Sequence, residues 1–216
     1  MKIFSKLLQI LYPRRCVVCR IQEPLSLCDD CLKEIPLVKN SKGSDIISVF
    51  PYRHPGVRYS IWEFKFKGNP DPILRLLPVI YDTLLDELTE RHLFNNFQKP
   101  LLVPIPLHKD RHKARGFNQS EQIAEALRKQ NPEVFDINET GLVRSKHTEP
   151  QAKIKNRQAR NQNILGCFEV IDLDAFYNKN IIVIDDITTT GSTLKEAMKV
   201  LKKAGARNVY AFTLAK

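Results

Sequence analysis

The stretch IIVIDDITTTGSTLKEA, residues 181–197, decides the fold. Ile181, Ile182, Val183 and Ile184 are four β-branched residues in succession with no polar alternation, as in a central strand covered on both faces. Leu194, Ala197, Met198, Leu201 and Ala204 recur at helical spacing, and Gly205 follows as a natural C-terminal stop. The segment between them therefore joins the C-terminal end of a strand to the N-terminus of a helix. Amides at a helix start lack intrahelical partners and the helix dipole favours anions, so this is a phosphate site by geometry.

The loop chemistry refines that reading. Thr188, Thr189, Thr190, Gly191, Ser192 and Thr193 offer hydroxyls and amides, with Gly191 allowing close backbone approach. The spacing matches neither the lysine-containing phosphate loop of nucleotide hydrolases nor the three-glycine dinucleotide fingerprint. Asp185 and Asp186 at the strand end would repel a phosphate; their targets are sugar hydroxyls and a divalent cation. The ligand so described has a sugar in its middle and a phosphate at one end. Residues 181–193 resemble the phosphoribosyl pyrophosphate (PRPP) motif of type I phosphoribosyltransferases. The resemblance implies that Asp185 and Asp186 face the ribose 2′- and 3′-hydroxyls, that the loop cradles the 5′-phosphate, and that Mg²⁺ accompanies PRPP.

Two basic segments complete the expected site. The run LLVPIPL (101–107) is a strand that its prolines end near Val103 or Ile105. Beyond it come His108, Lys109, Arg111, His112, Lys113 and Arg115, read as a basic loop able to hold a pyrophosphate or, more plainly, as a solvated turn before a helix marked by Ile123, Ala124 and Leu127. Residues 144–163 are polar and basic, which fits a lid closing over PRPP, with Arg157 and Arg160 as phosphate contacts, or a solvated basic helix.

Cys16, Cys19, Cys28 and Cys31 form two Cys-x2-Cys knuckles, which can supply four thiolates to one structural Zn²⁺ in a compact ribbon. Disulfides or a redox pair are the alternatives. The apolar stretch Ile3–Leu11 is broken by Lys6 and Gln9 and followed by Pro13-Arg14-Arg15, so no signal peptide is expected. A cytoplasmic, reducing location follows, and it disfavours disulfides. Cys167 reads as a small buried hydrophobe.

The chain has 216 residues and a net charge of +10, with no run long enough to span a membrane. The charge favours polyanionic partners. Tyr52, Tyr59, Trp62, Phe64 and Phe66 lie among Arg53, Arg58, Lys65 and Lys67 and could stack on bases, although Val57, Ile61 and Phe64 at helical spacing equally describe a core face. Residues 1–40 are assigned to a short helix and the zinc ribbon, and 45–216 to one α/β domain. Its expected elements are a strand at 46–52, a helix at 56–66, and a periodic helix carrying Ile73 to Leu88 that Pro78 kinks or starts. Strands and helices then alternate to a last strand at 208–214. This order predicts a mostly parallel sheet flanked by helices.

The succession of the four-cysteine ribbon, WEFKFKG (62–68), VPIPLHKDRHKARGFNQ (103–119), KHTEPQAKIKNRQARNQN (146–163) and DDITTTGST (185–193) resembles the ComF family of competence proteins, relatives of bacterial DNA-utilisation proteins. The resemblance implies a role in natural transformation, where single-stranded DNA enters the cytoplasm. Two readings follow: a PRPP-binding factor that associates with single-stranded DNA and other DNA-uptake proteins, or an active phosphoribosyltransferase that transfers ribose-5-phosphate from PRPP to an unidentified acceptor and releases pyrophosphate.

Overall fold

The computed structural model describes residues 15–22, 27–41, 43–95, 97–146 and 164–216. The expected lid, with Arg157 and Arg160, and the expected N-terminal helix before the ribbon lie outside the described residues. The elements in chain order are α1 (Asp29–Lys33), β1 (Ile46–Phe50), α2 (Pro55–Lys67), α3 (Asp71–Asn95), β2 (Leu101–Pro104), α4 (Lys109–Arg115) and α5 (Gln119–Gln130). They continue with β3 (Asp136–Ile137), β4 (Leu142–Arg144), β5 (Phe168–Val170), β6 (Asn180–Ile187), α6 (Ser192–Lys203) and β7 (Asn208–Ala215).

The unbroken apolar run of β6 is explained by its position. It lies between β7 and β2 in a five-stranded sheet of order β1-β7-β6-β2-β3, every pairing parallel. Its side chains alternate between two cores. Ile182 and Ile184 pack with Phe212, Leu214 and the apolar faces of α2, α3 and α5, while Ile181 and Val183 pack with α6, Leu142 and Phe168. A strand buried on both faces has no place for polar alternation. Cys167 is fully buried in the second core.

Four details differ from the sequence expectation. Strand β6 runs on through Asp185 and Asp186 to Ile187, because β7 keeps pairing with it that far. β4 and β5 form an antiparallel pair outside the main sheet, and the two-residue β3 had no signature of its own. Helix α3 starts at Asp71 and is continuous past Pro78, so this proline does not mark its start. Leu74 and Pro78 both face solvent, where the carbonyl that loses its partner can bond water. The basic segment after β2 is the helix α4 rather than a loop.

The cysteine segment packs on the same core. Cys16, Leu27, Cys28, Cys31 and Ile35 are buried together with α2 and α3. A Cβ on Gly56 would lie 3.2 Å from both Leu27 Cδ1 and Val18 Cγ2, so the absence of a side chain there lets the segment sit close to α2. Arg75 Nη2 donates to Leu27 O at 3.2 Å and to Asp29 Oδ1 at 2.5 Å, fixing the segment to α3.

Candidate functional site

The two acids stand at the C-terminal end of the central strand, and their neighbours come from distant parts of the chain. Asp185 Oδ1 accepts a hydrogen bond from Ser120 Oγ at 3.1 Å and from the Asp186 amide at 2.9 Å. Asp186 is 5% exposed, and its Oδ2 lies 2.6 Å from Lys65 Nζ. Burial, and then the adjacent Asp186 charge, push Asp185 up to about 7; Lys65, the Asp186 amide and the Ser120 hydroxyl pull the other way. Asp185 therefore takes up its full charge when further positive charge or strong donors reach it.

The loop after the acids is tied down at one end and open at the other. Thr188 N donates to Ala215 O at 2.9 Å, which fixes the loop to β7. Thr190 Oγ1 and Ser192 Oγ lie 2.6 Å apart, and Ser192 N points at Thr190 Oγ1 at 3.4 Å. Gly191 has φ +75°, a conformation that demands glycine, and a Cβ on it would also have to push aside the Ile46 Cδ1 methyl at 2.9 Å. As N-cap of α6 it brings no capping side chain, and the first turn of the helix contains no acid. Thr189 is exposed, and Thr193 lies in that first turn.

Helical geometry sorts the basic residues that followed β2 in sequence. Arg111 and Arg115, one turn apart on α4, line a cavity of about 380 Å³ together with Lys65, Phe66, Lys67 and Phe117. Lys109, His112 and Lys113 are exposed and line no part of it. His108 serves as the N-cap of α4, its Nδ1 accepting from the Asp110 amide at 3.3 Å. Arg111 is held below its ordinary range by burial and by the like charges of Arg144 and Arg115. Three guanidinium groups that repel one another in a partly buried place form a site for an anion with several oxygens.

The RGFNQS segment links these parts. Gly116, at φ +82°, ends α4; Phe117 packs on Phe64 with ring centroids 6.0 Å apart. Asn118 caps α5 by accepting from Ser120 N at 3.0 Å, and its Nδ2 donates to Ile105 O at 3.0 Å. Gln119 Oε1 accepts from Arg115 Nη1, which aims the guanidinium. Ser120 then reaches Asp185. Lys65, Ser120 and Arg144 are the site residues that sequence reasoning missed. WEFKFKG and RGFNQ stood out as segments, but nothing local ties a lysine at 65 to a carboxylate at 186.

The second candidate centre is metallic. The Sγ atoms of Cys16, Cys19, Cys28 and Cys31 all lie within 4.8 Å of one another, and Cys19 and Cys28 are 3.6 Å apart. Four sulfurs around one Zn²⁺ at ~2.3 Å stand roughly 3.8 Å apart in a tetrahedron, so the donor set fits. Four sulfurs gathered about one point suit a single ion better than two separate bridges. Burial raises the Cys31 thiol, and the hydrogen bonds and charge of its sulfur neighbours add to the rise; burial also pushes up Cys16, but the amides of Cys28, Cys19 and Val18 outweigh it and lower Cys16 to about 6. Four crowded sulfurs thus ionise together only around a cation.

Two family models match the chain. Residues 142–216 match the family described as phosphoribosyl transferase domain, and residues 7–42 match the double zinc ribbon domain. With the four gathered sulfurs, that match supports a structural zinc site. The chain is 31% identical over 199 residues to the competence protein ComFC of Streptococcus pneumoniae, covering 92% of this chain and 79% of that one. It is 29% identical over 208 residues to ComFC of Bacillus subtilis (92% and 76%) and 27% identical over 193 residues to competence protein F of Haemophilus influenzae (88% and 78%). Among the described residues, no helix is long and apolar enough to cross a membrane.

Proposed function

The chain belongs to the ComFC family of competence proteins, and from that premise we propose that it binds PRPP with Mg²⁺ and associates with single-stranded DNA in the cytoplasm during DNA uptake. The observation that carries this reading is the placement of Asp185 and Asp186 at the end of β6. The uncapped Gly191 loop follows them directly, and Lys65 connects them to the cationic cavity. The acids accept the ribose hydroxyls, or ligate Mg²⁺ with them, once positive charge arrives to ionise Asp185. Thr188, Thr189, Thr190, Gly191, Ser192 and Thr193 take the 5′-phosphate with amides and hydroxyls. Arg111 and Arg115, joined by Lys65 and Arg144, take the pyrophosphate. The net charge of +10 supports the nucleic-acid part of the proposal.

Calorimetric titration with PRPP and Mg²⁺ tests the sugar-phosphate site. The wild type binds, and the variant carrying both Asp185→Ala and Asp186→Ala does not; retained affinity in that variant removes the ribose assignment. A second reading, an active phosphoribosyltransferase, is favoured by the domain match at 142–216. Leaving-group charge and an oxocarbenium-like ribose need electrostatic stabilisation rather than a protein nucleophile, and the cationic wall is suited to that. Pyrophosphate release with one member of an acceptor panel supports this reading, and silence across the panel leaves the binding factor.

A further inference from the structure

Helix α2 has two apolar faces but only one core. Val57, Ile61 and Phe64 are buried at its inner side. On the other side Tyr59, Trp62 and Phe66 form a row at i, i+3 and i+7, with Trp62 44% and Phe66 66% exposed. Neighbouring ring centroids are 6.5 and 6.3 Å apart. The ring planes are tilted by 35° and 42° to one another, so the row offers separate faces on which bases can lie. Lys67 Nζ sits 4.8 Å from the Trp62 ring centroid, and Arg58 is exposed one turn before Trp62.

The row ends at the cationic cavity, where Phe66 is part of the wall with Lys65, Lys67, Arg111 and Arg115. Two carboxylates meet two of these charges: Glu63 pairs with Lys67 at 2.7 Å, and Asp186 with Lys65. Arg115 donates to the neutral Gln119 Oε1 and keeps its positive charge in the wall. Aromatic faces in file beside a cationic pocket match a chain of bases on a phosphate backbone better than they match an apolar helix, which has no use for the charge.

We propose that the outer face of α2, with Tyr59, Trp62 and Phe66 stacking on bases and the adjoining Arg58 and Lys67 meeting phosphates, is the binding site for single-stranded DNA. This rests on the DNA-associating part of the proposed function and gives it a location. The site takes any sequence, because every base has a π-face, and it discriminates against duplex, whose bases are already stacked.

Trp62 is the chain's sole tryptophan, so its emission reports this one place. The experiment titrates the full-length, zinc-loaded protein with fluorescein-labelled oligo(dT) of about 12 nucleotides, reading anisotropy, and in parallel with unlabelled oligomer, reading tryptophan emission. Binding accompanied by quenching is expected. Trp62→Ala should weaken the complex between about fivefold and about 150-fold, and Trp62→Phe much less. Trp62 is exposed, so matching circular dichroism and PRPP affinity in these variants establish that the fold is intact. Binding without quenching, and unchanged in Trp62→Ala, overturns the location while leaving DNA association standing. Absence of any anisotropy change in the wild type overturns both. Equal affinity for duplex of the same length overturns stacking. Equal quenching by a polyglutamate peptide assigns the face to an acidic protein partner instead.

Discussion

Replacing Asp185 by Asn should make the protein more stable and useless for its ligand, and the gain should depend on pH in a set way. Asp185 titrates near 7 in the fold against 3.8 as an ordinary side chain, because it is partly buried beside Asp186. The folded state therefore holds the proton more tightly than the unfolded state. The two states are equally protonated below about pH 4, and stability is lost as pH rises through the interval up to 7, then lost no further. The full displacement, at 1.36 kcal/mol per unit over 3.2 units, sets a ceiling of ~4 kcal/mol, and relaxation around the pair makes about 2 kcal/mol the working figure. Asparagine keeps the Oδ1 acceptor, so neither Ser120 Oγ nor the Asp186 amide loses its partner. Urea unfolding of both proteins at intervals from pH 4 to pH 8 measures the effect. The variant's advantage should grow with pH and level off above 7, where it corresponds to a rise in Tm of about 4–8 °C. A difference that is flat with pH, or a wild type more stable at pH 8, refutes the account of the acid pair. The cost of holding two carboxylates together is what a functional site carries and a purely structural one sheds.

Other perturbations follow from the same geometry. Gly191→Ala forces a side chain into φ +75° and against Ile46 Cδ1, so it should cost about 1–3 kcal/mol in denaturant unfolding and remove PRPP binding by calorimetry. Lys65→Met strips the partner from a nearly buried Asp186 and should destabilise by about 3 kcal/mol at pH 8, an amount that shrinks at pH 5, where Asp185 is protonated and no longer draws on the Lys65 charge; equal losses at both pH values would reject that coupling. Cys28→Ser, or a strong chelator, should release one zinc per chain by metal analysis and lower the Tm of the entire chain, since Cys16, Cys28 and Cys31 are packed in the core that holds α2 and α3. Affinity for oligo(dT) should fall linearly on logarithmic axes with added salt, by roughly 0.7 per phosphate contacted, and a flat response would leave no backbone contacts to explain.

Much was readable along the chain because the causes are local. Residues 181–205 gave strand, loop and helix in order, since four β-branched residues, a left-handed glycine and an amphipathic period each act over a few positions. The zinc ligands were equally plain, because each Cys-x2-Cys knuckle sets two sulfurs by itself. The weaker points have physical reasons too. Strand β3 is two residues long and exists only because β2 lies beside it. Pro78 does not mark the start of α3, because the carbonyl it frees lies on the solvent side, where water can serve it.

From the sequence alone came the element order, the acid pair with its phosphate loop, the cysteine centre and the abundance of positive charge. Only the folded chain decided which charges act together. Turning seven basic-rich residues into α4 selected Arg111 and Arg115 for the cavity and left Lys109 and Lys113 in solvent. Packing of α2 and α5 around the end of β6 brought Lys65 to Asp186 and Ser120 to Asp185, across 121 and 65 positions. Residue type and spacing fix what a side chain can do within a turn or a strand, whereas its partner over such separations is chosen by how buried faces pack.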